Sequence, residues 1–302
     1  MVDFVLAGTF KSASSTISYE LDQHPGIFIP QPKDPYFYMA DLSRTLTAPK
    51  SFMMEHDRFA VLERDRFEAL FAEAEDNALR GDATPLYLYC HTHSIPQIQA
   101  DNPNTKILIV LRNPADRAFS NYKHNVKDGY ETRSFSECID TWEETENLPL
   151  HPFFHYVRAG FYDAQVAAYQ EAFEQVKIVS YDDIQDRPQE LLNDIARFLG
   201  IEPNFKLQGT IQLNKSGKPR SRLLHDFIQK EGTIKKVLRP VYRTLVGNQA
   251  TRKSISEKIK NLNLDSGRMT ASERAALSAI YADDLRRLSR RPNCDFVTQW
   301  IP

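Results

Sequence analysis

The chain has 302 residues, of which 41% are hydrophobic, and its 38 Lys and Arg nearly balance its 40 Asp and Glu. This composition is ordinary for a globular protein that buries a core, and it excludes a wholly disordered chain. The longest aliphatic run, residues 107–111, is far shorter than the roughly 20 residues that a membrane-spanning helix requires.

The cysteines and the first residues bear on the compartment. Cys90, Cys138 and Cys294 are odd in number and widely spaced, which argues against a disulfide framework or a zinc site. The first residues contain neither a basic segment nor a long apolar stretch, so they do not have the pattern of a signal peptide. We therefore expect a soluble, cytoplasmic protein without a membrane segment.

Charge is distributed unevenly along the chain. Residues 206–260 hold 14 Lys and Arg against three acids, which favours a surface facing a phosphate or a polyanion. A helix with solvated lysines explains much of that segment equally well. Residues 128–146 show the reverse, with seven acids against Arg133 alone.

The first third of the chain opens with a strand followed by a helix. Residues 1–8 form an apolar run that ends at Gly8, which predicts a buried strand. A polar turn follows, and the pattern from Ser14 predicts a helix that ends at residues 24–26. Residues 26–38 suggest a short strand and a loop, and residues 67–79 have helical periodicity.

The next two thirds alternate strands with helices. Short apolar runs predict strands at 85–90, 106–111 and 176–180. Asn113 and Pro114 predict a helix start and a helix to about Lys123, and further helices are expected over 162–173 and 188–199. This alternation predicts an α/β fold, a single domain over 1–302 with a central, mainly parallel sheet flanked by helices.

The turn between the first strand and the first helix is a candidate anion site. A helix N-terminus offers unpaired N–H groups to an anion, and Lys11 adds a positive charge. The hydroxyls of Ser12, Ser14, Ser15 and Thr16 add donors. The arrangement is P-loop-like, but its spacing is not that of a Walker A motif. A Ser-rich helix cap with an exposed lysine is the alternative interpretation.

A second candidate anion site follows the strand at 106–111. Arg112 comes at the carboxyl end of this strand, where open α/β sheets bind their ligands, and Ser120 lies about two turns into the next helix. An arginine can bind a phosphate through two parallel hydrogen bonds, and the serine can donate another. A structural ion pair at Arg112 and an ordinary surface serine are the alternatives.

Together these motifs resemble the family of sulfotransferases that depend on 3′-phosphoadenosine 5′-phosphosulfate (PAPS). Several segments are similar to family motifs in the same order along nearly the whole chain. They are the loop at 8–15, the stretches 24–25 and 33–38, the segment LRNPADRAFS at 111–120, the segments 160–162 and 179–184, the basic loop 214–221, and residues 284–300.

The resemblance implies sulfuryl transfer from PAPS to a hydroxyl or amine, without a metal ion. It implies that Lys11 stabilises the leaving nucleotide and that the loop holds the 5′ end of the donor, through residues Ser12, Ala13, Ser14, Ser15 and Thr16. It implies that Arg112 and Ser120 bind the 3′-phosphate and that Tyr181 contacts the nucleotide. It also implies that a basic loop closes over the cofactor, with Lys215, Gly217, Lys218 and Arg220.

Two residues compete for the role of general base. Asp34 resembles the base of the glycan-modifying branch, although the family usually has the longer Glu there, and His93 resembles the histidine of the cytosolic branch. Asp34 is favoured because its surroundings match better. Another departure from the family is Ala13, which replaces the usual Gly and is tolerated only with a negative φ or a shifted loop.

Several alternatives remain open from the sequence. A glycan sulfotransferase, a nucleotide kinase and a non-catalytic PAPS-binding protein would share parts of the pattern. Since residues 128–155 are acidic and aromatic, we expect a neutral or cationic small-molecule acceptor, such as a secondary metabolite, rather than a polyanion or a nucleic acid. The sequence does not decide the acceptor, O- against N-sulfation, or the oligomeric state.

Overall fold

Five parallel strands form the central sheet of the computed structural model, which describes residues 1–31, 33–145, 148–205 and 267–302 and the backbone of two short strands at 218–219 and 264–265. The five strands pair in the order β2-β3-β1-β4-β5. Their bounds are β1 (Phe4–Gly8), β2 (Ile27–Phe28), β3 (Leu79–Asp82), β4 (Lys106–Leu111) and β5 (Val176–Ser180). The expected α/β fold with a parallel sheet is confirmed.

Helices connect the strands. In chain order they are α1 (Ser14–Asp22), α2 (Ala40–Ser43), α3 (Lys50–Phe59), α4 (Arg64–Ala69), α5 (His91–Asp101), α6 (Pro114–Lys127), α7 (Phe135–Asp140), α8 (Trp142–Thr145), α9 (Asp163–Ala172), α10 (Tyr181–Asp186), α11 (Pro188–Leu199) and α12 (Ala271–Leu288). The strands at 218–219 and 264–265 form a separate antiparallel pair. Within the described part of the chain, none of these helices is both long and apolar enough to span a membrane.

Both faces of the sheet are covered by apolar side chains. Successive side chains of a strand point to opposite faces, and β1 places Val5 and Ala7 in one buried cluster and Phe4 and Leu6 in another. Residues 107–111 of β4 alternate between the same two clusters. This explains why the central strands are continuous apolar runs in the sequence.

Local signals set the helix ends near the site. The side chain of Asn113 accepts hydrogen bonds from the N–H groups of Ala115 and Asp116, and Pro114 occupies the first position of α6. Gly200 ends α11 with a left-handed φ of 84°, a conformation that costs glycine little. Both features agree with the sequence-based prediction.

Two predicted elements were wrong. Residues 85–90 form a buried turn rather than a strand, and the hydrogen bond from Leu88 N–H to the Ala7 carbonyl (2.7 Å) docks this turn against β1. Gly8 permits that approach, because a Cβ there would lie 2.4 Å from the Cβ of Leu88. The helix predicted over 67–79 ends at Ala69, and Leu79 already begins β3.

The strand order places a crevice between β1 and β4. After β1 the chain crosses towards β2 on one side, and after β4 it crosses towards β5 on the other. In open α/β sheets ligands bind outside the carboxyl ends of the strands at such a switch point. The loop after β1 and Arg112 after β4 both lie there.

Candidate active site

A cavity of about 270 Å³ lies at the carboxyl ends of the central strands. It brings together most of the site residues predicted from the sequence, although these come from distant segments of the chain. Its lining comprises Phe10, Lys11, Ala13, Ser14, Ser15, Thr16, Lys33, Asp34, Pro85, Arg112, Ser120, His124, Phe153 and Tyr181.

The loop between β1 and α1 forms one end of the cavity. Ala13 is the residue that caps α1, and its φ of 61° is left-handed, so of the two alternatives given for this alanine the negative φ is excluded. An alanine offers no side-chain acceptor, so it leaves the first N–H groups of α1 to a ligand. Ser12 lies beneath the loop, fully buried, and its Oγ has no hydrogen-bond partner among the described residues.

Lys11 is the positive charge of this loop, and its own φ is 67°. The pKa of its ammonium group is lowered to about 8, mainly by burial; the charge of Asp128 raises it, and the positive charges of Arg112 and Lys127 lower it. A buried lysine near two like charges is a favourable place for an anion. The loop therefore has both the donors and the charge to bind one.

Arg112 connects the two predicted anion sites. Its Nη1 donates a hydrogen bond to the Lys11 carbonyl (2.9 Å), so the end of β4 supports the loop that follows β1. Its guanidinium carbon lies 4.3 Å from the ring centroid of Tyr181, the first residue of α10. Stacking on the ring fixes the plane of the guanidinium group.

Helix α6 contributes two residues to the wall, Ser120 and His124. The sequence analysis missed His124, although four residues separate it from Ser120 and this spacing places both on one helix face. The pKa of His124 is lowered to about 3, mainly by burial and also by the positive charges of Lys11 and Lys127. The imidazole is therefore neutral at physiological pH.

Asp34 lies on the opposite wall, next to Lys33. The Nζ of Lys33 donates a hydrogen bond to its Oδ1 (2.6 Å), and the Asp34 side chain is 31% exposed. The carboxylate is thus held in place and still reachable from the cavity. Four further lining residues were not predicted as site residues: Phe10 and Lys33, which lie within segments that resemble family motifs, and Pro85 and Phe153, which lie outside them.

His93 lies elsewhere. It belongs to the first turn of α5 rather than to a loop after a strand, and it lines a separate cavity of about 360 Å³ with Phe37, Leu42 and Arg64 among its neighbours. The structure therefore separates the two candidate bases. The side chains of the predicted closing loop, Lys215, Gly217, Lys218 and Arg220, lie outside the described residues.

Comparison with known proteins agrees with this geometry. A profile described as "Sulfotransferase domain" matches residues 3–231. Among solved structures, the chain is similar to a sulfotransferase from Alicyclobacillus acidocaldarius, with 25% identity and a TM-score of 0.72. That match covers 99% of this chain and 98% of the other.

Two curated proteins are similar over shorter segments. A membrane-associated sulfotransferase of Dictyostelium discoideum is 24% identical over 125 residues, which is 41% of this chain. The human bifunctional heparan sulfate N-deacetylase/N-sulfotransferase 2 is 24% identical over 224 residues, or 70% of this chain. The matched segments are only 23% of the length of each relative.

Proposed function

Because this chain belongs to the sulfotransferase family, we propose that it transfers a sulfuryl group from PAPS to a hydroxyl or amine of a small molecule. The other product is adenosine 3′,5′-bisphosphate, and the acceptor loses a proton. The observation that supports this proposal is that one cavity contains both anion sites and the Asp34 carboxylate.

The two ends of the donor fit the two anion sites. The 5′ end would lie on Lys11 and the N-terminus of α1, where hydroxyls and N–H groups converge. The 3′-phosphate would bind Arg112 and Ser120, and Tyr181 would contact the nucleotide beside the guanidinium group. The unpartnered Oγ of Ser12 and the lowered pKa of Lys11 are what an anion-binding loop shows without its anion.

Catalysis would depend on positioning and charge rather than on covalent chemistry. PAPS supplies a sulfuryl group whose transfer proceeds in line, with negative charge developing on the oxygen of the leaving nucleotide. Lys11 would place its ammonium group where that charge develops. Phe10 and Phe153, whose rings stack 5.0 Å apart, would form an apolar part of the wall of the same cavity.

Asp34 is the proposed general base. A base must lie within hydrogen-bond reach of the acceptor proton, and among the two candidates only Asp34 lines the cavity. Lys33 orients the carboxylate by its hydrogen bond to Oδ1. The imidazole of His124, whose Nδ1 lies 3.5 Å from Oδ2 of Asp128, also faces the cavity and would be a further hydrogen-bonding group there.

The acceptor class remains a proposal from the sequence. We favour a neutral or cationic small molecule, such as a secondary metabolite, because the segment 128–155 is acidic. A glycan is the second candidate, and the presence of Asp34 rather than His93 in the cavity favours it. The three cysteines are all free and buried, which supports a reducing compartment such as the cytoplasm.

The function is tested by mass spectrometry of candidate acceptors incubated with the protein and PAPS. We expect a mass gain of one SO₃ and an equal amount of adenosine 3′,5′-bisphosphate. That nucleotide alone should also raise the melting temperature of the protein. No product across a panel of phenols, alcohols, amines and oligosaccharides, together with no thermal shift, would contradict the proposal.

The base assignment is tested with two variants. Asp34→Asn preserves the size of the side chain but removes its basicity, and it should lower kcat by about 10²–10⁴-fold with little change in nucleotide affinity. His93→Ala is the matched control and should retain wild-type kcat. If Asp34→Asn is fully active, or if His93→Ala is inactive, the general base is a residue other than Asp34. Neither result would affect the evidence for the donor site.

A further inference from the structure

We propose that Asp82 and Tyr87 are positioning residues that fix the chain segment carrying Asp34. This inference rests on the proposed role of Asp34 as the general base. Neither residue lines the cavity, and both are fully buried beneath it. They act through hydrogen bonds that join the end of β3 to the segment 33–38.

The segment 33–38 needs external support. Asp34 and Tyr36 have φ values of 64° and 60°, a region that residues with a Cβ rarely occupy. Such a conformation persists only when surrounding contacts determine it. A change of a few tens of degrees at either residue would move the Asp34 carboxylate away from the acceptor.

Tyr87 supplies one of these contacts from below. Its phenolic oxygen accepts a hydrogen bond from the Tyr38 N–H (3.2 Å), and its O–H donates to Oδ2 of Asp82 (2.8 Å). The carboxylate therefore directs the phenolic proton towards itself and leaves a lone pair for the Tyr38 amide. Without Asp82, the phenol could rotate its proton towards that amide and repel it.

Asp82 is itself held rigidly. Its Oδ1 accepts a hydrogen bond from the Thr84 hydroxyl (2.6 Å), and the residue is the last of β3, next to the central strand. The side chains of Asp82 and Tyr87 thus connect the backbone of Tyr38 to the rigid sheet. A second support, the hydrogen bond from Val61 N–H to the Pro35 carbonyl (2.8 Å), lies on the same segment. Both supports hold the chain just after Asp34, so losing one of them should matter.

Burying a carboxylate raises the free energy of the folded state, so packing alone does not explain why an aspartate lies at position 82. A carboxylate without exposure loses its hydration, and the burial raises the pKa of Asp82 to about 7. The charged groups facing it from the neighbouring segment are Lys33 and Asp34 themselves. This proximity places the network directly under the proposed base rather than at a remote part of the core.

The inference is tested by a double-mutant cycle between Tyr87→Phe and Asp34→Ala. Tyr87→Phe keeps the ring and removes only the hydroxyl, and it should lower kcat about tenfold in the wild-type background. In the Asp34→Ala background the same change should have no further effect on the residual rate, measured with radiolabelled PAPS. The affinity for adenosine 3′,5′-bisphosphate should be unchanged in every variant.

Tyr281→Phe is the matched control. Tyr281 is also fully buried and donates its hydroxyl to a backbone carbonyl, that of Val157 (2.8 Å), but it has no contact with the segment 33–38. This variant should lose thermal stability and keep its kcat. Asp82→Asn, which retains the side-chain volume, should reproduce the effect of Tyr87→Phe and replaces it if that protein does not fold.

The outcomes of these experiments distinguish a failure of the positioning role from a failure of the proposed function. Wild-type kcat in Tyr87→Phe, or an equal loss in both backgrounds, would overturn the positioning role while leaving the base assignment intact. If instead Asp34→Ala alone has no effect on kcat, the base assignment fails, and the positioning role fails with it.

Discussion

The fold buries the ammonium group of Lys11, which disfavours its charged form while no anion is bound. Burial and two neighbouring cations lower its pKa to about 8. A bound phosphate or sulfate would favour the charged form and raise that pKa again. Binding of the nucleotide should therefore be linked to proton uptake at the pH where free Lys11 has begun to lose its proton.

Nucleotide affinity should accordingly fall at alkaline pH. The phosphates of adenosine 3′,5′-bisphosphate are fully ionised above pH 8, since their second pKa is about 6, so the ligand itself does not titrate there. We expect the affinity, measured by calorimetry, to fall about tenfold between pH 7.5 and 9.5 as Lys11 deprotonates. Lys11→Arg keeps its charge over this range and should remove the dependence. A flat profile in the wild type would exclude Lys11 from the anion site.

Arg112 should distinguish a nucleotide with a 3′-phosphate from one without. The wild type should bind adenosine 3′,5′-bisphosphate more tightly than adenosine 5′-monophosphate, because only the former reaches Arg112. Arg112→Lys retains the charge but loses the planar fork and the stacking on Tyr181, and should reduce that preference about tenfold. An unchanged preference would place the 3′-phosphate on other residues. Lys123→Met, a change on the adjoining helix outside the cavity lining, serves as a control for general charge.

At the scale of elements, α1 begins with a residue that is poorly suited to its conformation. Ala13 caps the helix with a φ of 61°. For residues other than glycine this left-handed region costs about 1–2 kcal/mol, mainly through contact of Cβ with the neighbouring carbonyl. The loop geometry required at the anion site is thus maintained against a local preference.

Ala13→Gly should stabilise the protein by about 1 kcal/mol, because it removes this strain. Ala276→Gly provides the matched control: it makes the same substitution at an exposed position inside α12, where it should destabilise by about 1 kcal/mol. Thermal or chemical unfolding of both variants measures the two opposite changes in the free energy of unfolding. Destabilisation by Ala13→Gly would show that the alanine methyl contributes packing worth more than the strain.

Elements with a local signature could be predicted from the sequence. The apolar run of β4 and the Asn-Pro start of α6 were predicted correctly, because β-branched residues and capping groups act within a few residues. Residues 85–90 were predicted wrongly for the opposite reason. The turn buries Leu86, Tyr87 and Leu88 by docking against β1 and not by pairing as a strand. Burial of apolar residues alone does not distinguish the two arrangements.

The residues of the candidate site also divide into those that local motifs predict and those that only the fold brings together. Lys11, Arg112 and Ser120 belong to contiguous motifs, so the sequence analysis found them, and the family they resemble is confirmed. Pro85 and Phe153 reach the cavity from segments outside these motifs, which only the fold brings close. The choice between Asp34 and His93 likewise depends on three-dimensional placement, since α5 turns His93 towards another cavity.

At the scale of the whole molecule, the strand order decides where chemistry can occur. Because β1 and β4 are neighbours and their connections leave in opposite directions, the two phosphate motifs meet although about 100 residues of chain separate them. The hydrogen bond from Arg112 to the Lys11 carbonyl joins these halves directly. The switch point and the proposed site therefore coincide.

Asp82, at the end of β3, links the stability of the whole fold to pH. Burial raises its pKa to about 7, while hydrogen bonds from Thr84 and Tyr87 oppose the rise. In the unfolded chain an aspartate loses its proton near pH 4, so between about pH 4 and 7 the folded state binds the extra proton. The contribution of this group to folding is therefore greatest below pH 4 and is lost as the pH rises through 7.

Asp82→Asn should reveal this linkage as a difference that depends on pH. Asparagine does not titrate, so the stability of this variant relative to the wild type should be lowest at the acidic end of the measured range, pH 5. The relative stability should then rise towards pH 8 by on the order of 2–4 kcal/mol, as the wild type acquires an unfavourable buried charge. Denaturant unfolding at pH 5, 6, 7 and 8 measures this, and other titrating groups cancel because they are common to both proteins. A constant difference across the series would show that Asp82 remains ionised in the folded state throughout, with its two hydrogen bonds compensating fully for burial.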